Sequence, residues 1–103
     1  MIRAEFFKSK DFLMGLKING HSGYAENGKD VVCAAVSSAV QLTMNLLDEF
    51  GFQPDVQIKK NDINFMVKNR NNDVSRIINT LMFHFNAILE EYPNTIKITT
   101  TEV

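Results

Sequence analysis

Apolar residues in this chain switch between two spacings, and the switching narrows the folds it can adopt. In residues 2–8, Ile2, Ala4 and Phe6 alternate with Arg3 and Glu5. In residues 12–19, Phe12, Met14, Leu16 and Ile18 alternate with Lys17 and Asn19. Strict alternation marks a strand with one buried face. With Ser9-Lys10-Asp11 as the turn, the two segments read as a hairpin. The spacing returns in residues 55–60 (Val56, Ile58) and 63–68 (Ile63, Phe65, Val67), with Asn61-Asp62 as a tight turn. Residues 95–101 repeat it through Ile96 and Ile98.

Two segments carry the helical spacing instead. Over residues 31–50, Ala35, Val36, Ala39, Val40, Thr43, Met44, Leu46, Leu47 and Phe50 form a wide apolar arc. Gly51 is a suitable C-terminal stop. Over residues 73–92, Val74, Ile77, Ile78, Leu81, Met82, Phe85, Ile88, Leu89 and Tyr92 share one face. Asn72 or Asp73 can cap this helix, and Pro93 ends it. The order is ββαββαβ. Because every strand has a single apolar face, the expected fold is α+β: one domain over residues 1–103, with an antiparallel or mixed sheet and both helices on one side.

A chain of 103 residues is long enough for one core. Its 45% hydrophobic and 22% charged residues exclude disorder. A net charge of -1 argues against strong attraction to nucleic acid or an anionic membrane. The single cysteine excludes an intrachain disulfide, and one cysteine with two histidines is too few for a Cys/His zinc site. No metal or cofactor is expected. No apolar run approaches the roughly 20 residues of a membrane span, and the start MIRAEFF lacks the features of a signal peptide. A small cytoplasmic protein is the expectation.

The segment 20–30, GHSGYAENGKD, is a loop with three glycines, Gly20, Gly23 and Gly28. It matches neither G-x-G-x-x-G nor G-x-x-x-x-G-K-[ST], so it offers little as a phosphate cradle. Asp30 stands where the loop becomes helix and is a good N-cap. Cys33 then falls in the first helical turn, where partial positive charge favours the thiolate. Ser37 lies one turn further on the same edge, and His21 lies across the loop. Cysteine plus histidine is the minimum for nucleophilic acyl chemistry. The same residues also have plain readings: a small buried hydrophobe, a solvated histidine and a helix cap.

Outside this cluster, His84 reads as structural or exposed. Phe83 points away from the apolar face of its helix, and Phe7, Leu13 and Met66 fall on the outer faces of their strands. Together they suggest self-association or a partner surface. Lys59, Lys60, Lys68 and Arg70 gather around the second hairpin and read as a solvated edge.

The segment Ile18–Ser38, INGHSGYAENGKDVVCAAVSS, resembles the signature of the ribosomal-processing cysteine protease family, Prp. That signature is a G-H-x-x-Y-A loop followed by a G-x-D-hydrophobic-V-C-A-A-x-S helix start. Gly20, His21, Tyr24, Ala25, Gly28, Asp30, Cys33, Ala34, Ala35 and Ser37 match it. Ser22 replaces the commoner alanine and Val31 the commoner isoleucine. The resemblance implies a homodimeric endopeptidase that removes an N-terminal extension from a large-subunit ribosomal protein during ribosome assembly, after a phenylalanine. It implies Cys33 as nucleophile and His21 as general base and acid, with Asp30 and Ser37 in support. Gly20, Gly23, Tyr24 and Gly28 belong to a loop described in the family as mobile. Such a loop can bring His21 to Cys33 only when substrate is bound. Backbone N–H groups at the helix start are candidate oxyanion donors. Asp30 either caps the helix or orients His21.

Two other functions fit the same outline. One is an assembly factor that binds a ribosomal protein without cutting it. The other is a small RNA-binding module, which the net charge and the absence of aromatic-basic strand motifs oppose.

Overall fold

In a computed structural model, residues 1–20, 31–60 and 62–103 are described. Five strands and two helices follow the expected order: β1 Ile2–Ser9, β2 Phe12–Asn19, α1 Val31–Glu49, β3 Asp55–Lys59, β4 Asp62–Met66, α2 Asn72–Glu91 and β5 Ile96–Glu102. The sheet order is β3-β4-β2-β1-β5. β1 and β5 run parallel and the other neighbours antiparallel, so the sheet is mixed.

Register explains why one face is apolar. Phe6 stands opposite Leu16, which stands opposite Phe65. Ala4 stands opposite Ile18, and Ile18 opposite Ile63. These rows meet Val32, Val36, Val40, Met44 and Leu47 of α1, and Val74, Ile78, Leu81 and Phe85 of α2, in one core. Both helices therefore pack on the same face. The rings of Phe6 and Phe85 meet at 5.9 Å, tilted by 59°. By length and composition α1 is apolar enough to cross a membrane, but its buried stripe packs in this core.

Both helices end or begin by specific bonds. The N–H of Gly51 donates to Asp48 O and that of Phe52 to Leu47 O, with Gly51 at φ 82°. This is a Schellman stop, and its left-handed residue favours glycine. At the start of α2 the Asn71 side chain accepts from the N–H groups of Asp73 and Val74. The cap is Asn71, one residue before the expected Asn72 or Asp73, because α2 itself begins at Asn72.

Three further expectations shift. Asp62 pairs with Lys59 and Asn19, so it belongs to β4 and not to the turn. A register shift between Phe7 and Lys8 sets Leu13 opposite Lys8 and half-buries it against the core. Met66 is half-buried there too, so neither residue lies on an open outer face. Finally, Val56 and Ile58 remain 42% and 66% exposed, because β3 is an edge strand beyond the helix layer. The expected arc over residues 31–50 is likewise wider than the buried stripe: Leu46 and Phe50 stay exposed, and so do Leu42, outside that arc, and Phe83 of α2. His84, Lys59, Lys60, Lys68 and Arg70 are exposed.

Candidate active site

α1 begins at Val31, which places Cys33 in its first turn. Helix dipole and backbone donors concentrate positive potential there. Cys33 is half-buried and forms part of the wall of a cleft of about 260 Å³. Cys33 thus stands at the border of the core, packed against it on one side and lining the cleft on the other.

The cleft exists because α1 crosses one end of the sheet. Ile18, Ile63 and Ile58 are register partners on β2, β4 and β3, and they form an aliphatic row across its floor. Val36 and Val40 of α1 face that row, and Ile2 closes it from β1. Lys59 and Asp62 bring polar groups from the second hairpin.

Ser37 lines the same cleft one helical turn after Cys33. Its Oγ accepts a hydrogen bond from Gln41 Nε2 at 3.0 Å. Gly20 also lines it, at the end of β2. Its φ of 90°, and the position a Cβ would take against the Met1 carbonyl, leave room for glycine alone without strain. Cys33, Ser37 and Gly20 thus meet at one cleft. His21, Gly23, Tyr24, Gly28 and Asp30 lie outside the described residues, and so does the expected approach of His21 to Cys33. Among the described residues no group of His, Cys, Asp and Glu could hold a metal ion.

Sequence reasoning missed the share of the second hairpin. Ile58 and Ile63 read only as the apolar face of strands, and Asp62 as a turn residue. A signal was present in Asp62, an acidic residue next to an alternating apolar run, but alternation does not say which end of the sheet a helix crosses.

Comparison with known proteins bears on this site. A family model described as cysteine protease Prp matches residues 1–97. The ribosomal processing cysteine protease Prp of Staphylococcus aureus is 26% identical over 85 residues, covering 79% of this chain and 80% of that protein. The crystal structure of the S. aureus protease with a covalently linked product peptide matches with a TM-score of 0.88 at 23% identity, over 98% of this chain and all (100%) of that one. The same protease with a substrate peptide matches with a TM-score of 0.84 at 22% identity, over 98% and 100% of the two chains. At such identities the structural likeness speaks for the fold, and the family match carries the assignment. With that match spanning nearly the whole chain, this protein belongs to the cysteine protease Prp family and is a cysteine protease.

Proposed function

We propose that this chain is the endopeptidase that removes the N-terminal extension of a large-subunit ribosomal protein, in the cytoplasm and as a homodimer. The observation that supports it best is the position of Cys33: half-buried, in the first turn of α1, at a cleft of about 260 Å³ with an aliphatic floor. The exposed Leu42, Leu46, Phe50 and Phe83 of the helix layer support the dimer.

In this reading an apolar side chain of the extension fills the cleft, and its carbonyl carbon stands at the sulfur. His21 takes the thiol proton, and the Cys33 thiolate adds to that carbon. The positive end of α1 stabilises the oxyanion that develops. The tetrahedral intermediate then expels the amine, which takes the proton from His21 and leaves as the shortened ribosomal protein. Water, deprotonated by His21, attacks the thioester and releases the extension as a carboxylate. Asp30 caps α1 or holds the protonated His21, and Ser37 supplies a polar contact at the rim.

The test is mass spectrometry of the organism's own extended ribosomal protein after incubation with the protein. The wild type should yield the shortened form. Cys33→Ala should yield none, and His21→Ala should slow conversion by about 10²–10⁴-fold. Conversion by Cys33→Ala would refute the assignment of the nucleophile. Tight binding by the wild type without any cleavage would point to a non-catalytic assembly factor.

A further inference from the structure

The helices cover one face of the sheet, and the other face is polar. Arg3 and Glu5 of β1, Lys17 and Asn19 of β2, and Lys97 and Thr99 of β5 point outward there, because Ala4, Ile18 and Ile98 between them pack in or against the core. These six side chains line a cleft of about 320 Å³ across three neighbouring strands. Arg3 stands directly opposite Lys97, and Lys17 opposite Glu5. Neighbouring strands lie about 4.8 Å apart, so Arg3 and Lys97 repel each other at close range. Glu5 is the acid of this cleft, but its Oε2 accepts from Thr101 Oγ1 at 2.6 Å, on the side away from Lys97. Among the described residues the ion pair is Arg76 with Asp73, so none of the three cations is neutralised in one. A cleft that gathers like charges without pairing them suits an anion supplied from outside.

The low overall charge, which argued against nucleic acid, averages two unlike sides of the molecule. α1 and α2 carry Asp48, Glu49, Asp73, Glu90 and Glu91 against Arg76, so the helix layer is acidic. Nor does any one strand carry an aromatic-basic motif. Pairing assembles one across strands, because the half-buried Phe7 shares the outward face of β1 with Arg3. Nucleic acid brings a charge and a stacking ring with every residue, which an acidic peptide does not. Asn19 and Thr99, set among the cations, offer hydrogen bonds to a ribose 2′-hydroxyl. We propose that the outer face of β5, β1 and β2 binds single-stranded RNA, with Arg3, Lys17 and Lys97 on phosphates and Phe7 against a base. This face lies across the sheet from the Cys33 cleft, so RNA and peptide do not compete. The inference stands or falls apart from the peptidase reading.

The experiment follows the fluorescence anisotropy of a fluorescein-labelled single-stranded RNA of about 12 nucleotides, mixed with the full chain. The wild type should bind it, with log affinity falling against log salt at a slope of about -2, the value for three phosphate contacts on a single strand. That slope is about a twentyfold loss between about 50 and 200 mM salt. Arg3→Gln should make the slope shallower by about 0.7, and Arg3→Gln/Lys17→Gln/Lys97→Gln should bind about a hundredfold more weakly at about 50 mM salt. Phe7→Leu should weaken binding by about fivefold and leave the slope unchanged. Lys68→Gln/Arg70→Gln removes two cations elsewhere and should bind as the wild type does. The triple variant should melt no lower than the wild type, since it relieves the repulsion between Arg3 and Lys97. A folded triple variant that keeps its RNA would overturn the inference, and so would an equal loss in Lys68→Gln/Arg70→Gln. Polyglutamate that displaces the probe as well as unlabelled RNA of equal charge would make the partner an acidic protein and overturn it too. Absence of binding by the wild type at about 50 mM salt would end it outright.

Discussion

β1 and β3 have similar alternating sequences and opposite surroundings. Ile2, Ala4 and Phe6 of β1 are buried to 1%, 0% and 0% exposure, while Val56 and Ile58 of β3 keep 42% and 66%. Both rows point to the same side of the sheet, linked through Leu16, Phe65, Ile18 and Ile63. What separates them is cover. β1 lies between β2 and β5 beneath the helices, and β3 is the edge strand that the helix layer does not reach. Alternation thus records that a strand has an apolar face, and strand position decides whether that face becomes core or remains available. The Cys33 cleft lies where one condition gives way to the other, with Ile2 and Ile18 on the covered side and Ile58 on the open side.

The largest effect should come from the covered side. Phe6 is fully buried and packs against Phe85. Phe6→Ala should lower unfolding free energy by about 3–5 kcal/mol, read from chemical denaturation. Since a small domain has only about 5–15 kcal/mol in total, the variant should be close to unfolding. A loss below about 1 kcal/mol would mean that the two helices do not share one core with β1.

The next effect lies on the open side and is one of binding. Ile58→Thr replaces an ethyl group with a hydroxyl at a position already 66% exposed. Stability should move by no more than about 0.5 kcal/mol. On the proposed function, KM for the junction peptide should rise about fivefold, because a peptide side chain in the cleft would no longer bury that aliphatic surface. An unchanged KM would remove β3 from the site.

The contrast between the two strands also shows what the sequence could disclose. Both helices, all five strands and their order were legible, because period is a local property that packing preserves. The stop at Gly51 was legible because glycine directly after a helical apolar run supplies the left-handed residue that ends a helix. The cap of α2 was displaced to Asn71 because Asn71, Asn72 and Asp73 all have capping side chains, and only backbone geometry chooses among them. Of the residues that line the cleft, Cys33 and Ser37 share one helix edge in the sequence, whereas Gly20 entered only as a loop glycine and through the family resemblance. Asp62 and Ile58 were not legible, because they reach the cleft through strand order, and pairing between strands distant in sequence leaves no local trace.

The smallest effect separates exposure from function within β3 itself. Val56 and Ile58 are two residues apart on one strand face, both aliphatic and both exposed. They differ in register: Ile58 stands opposite Ile63, whereas Val56 stands opposite Phe65. Only Ile58 lines the cleft. Val56→Thr should therefore shift unfolding free energy by no more than about 0.5 kcal/mol and leave KM for the junction peptide unchanged. If both threonine variants raised KM equally, the peptide would have to run along the whole open face of β3. The cleft beside Cys33 would then be one end of a longer groove, and specificity would depend on several residues of the extension in place of the one whose side chain enters it.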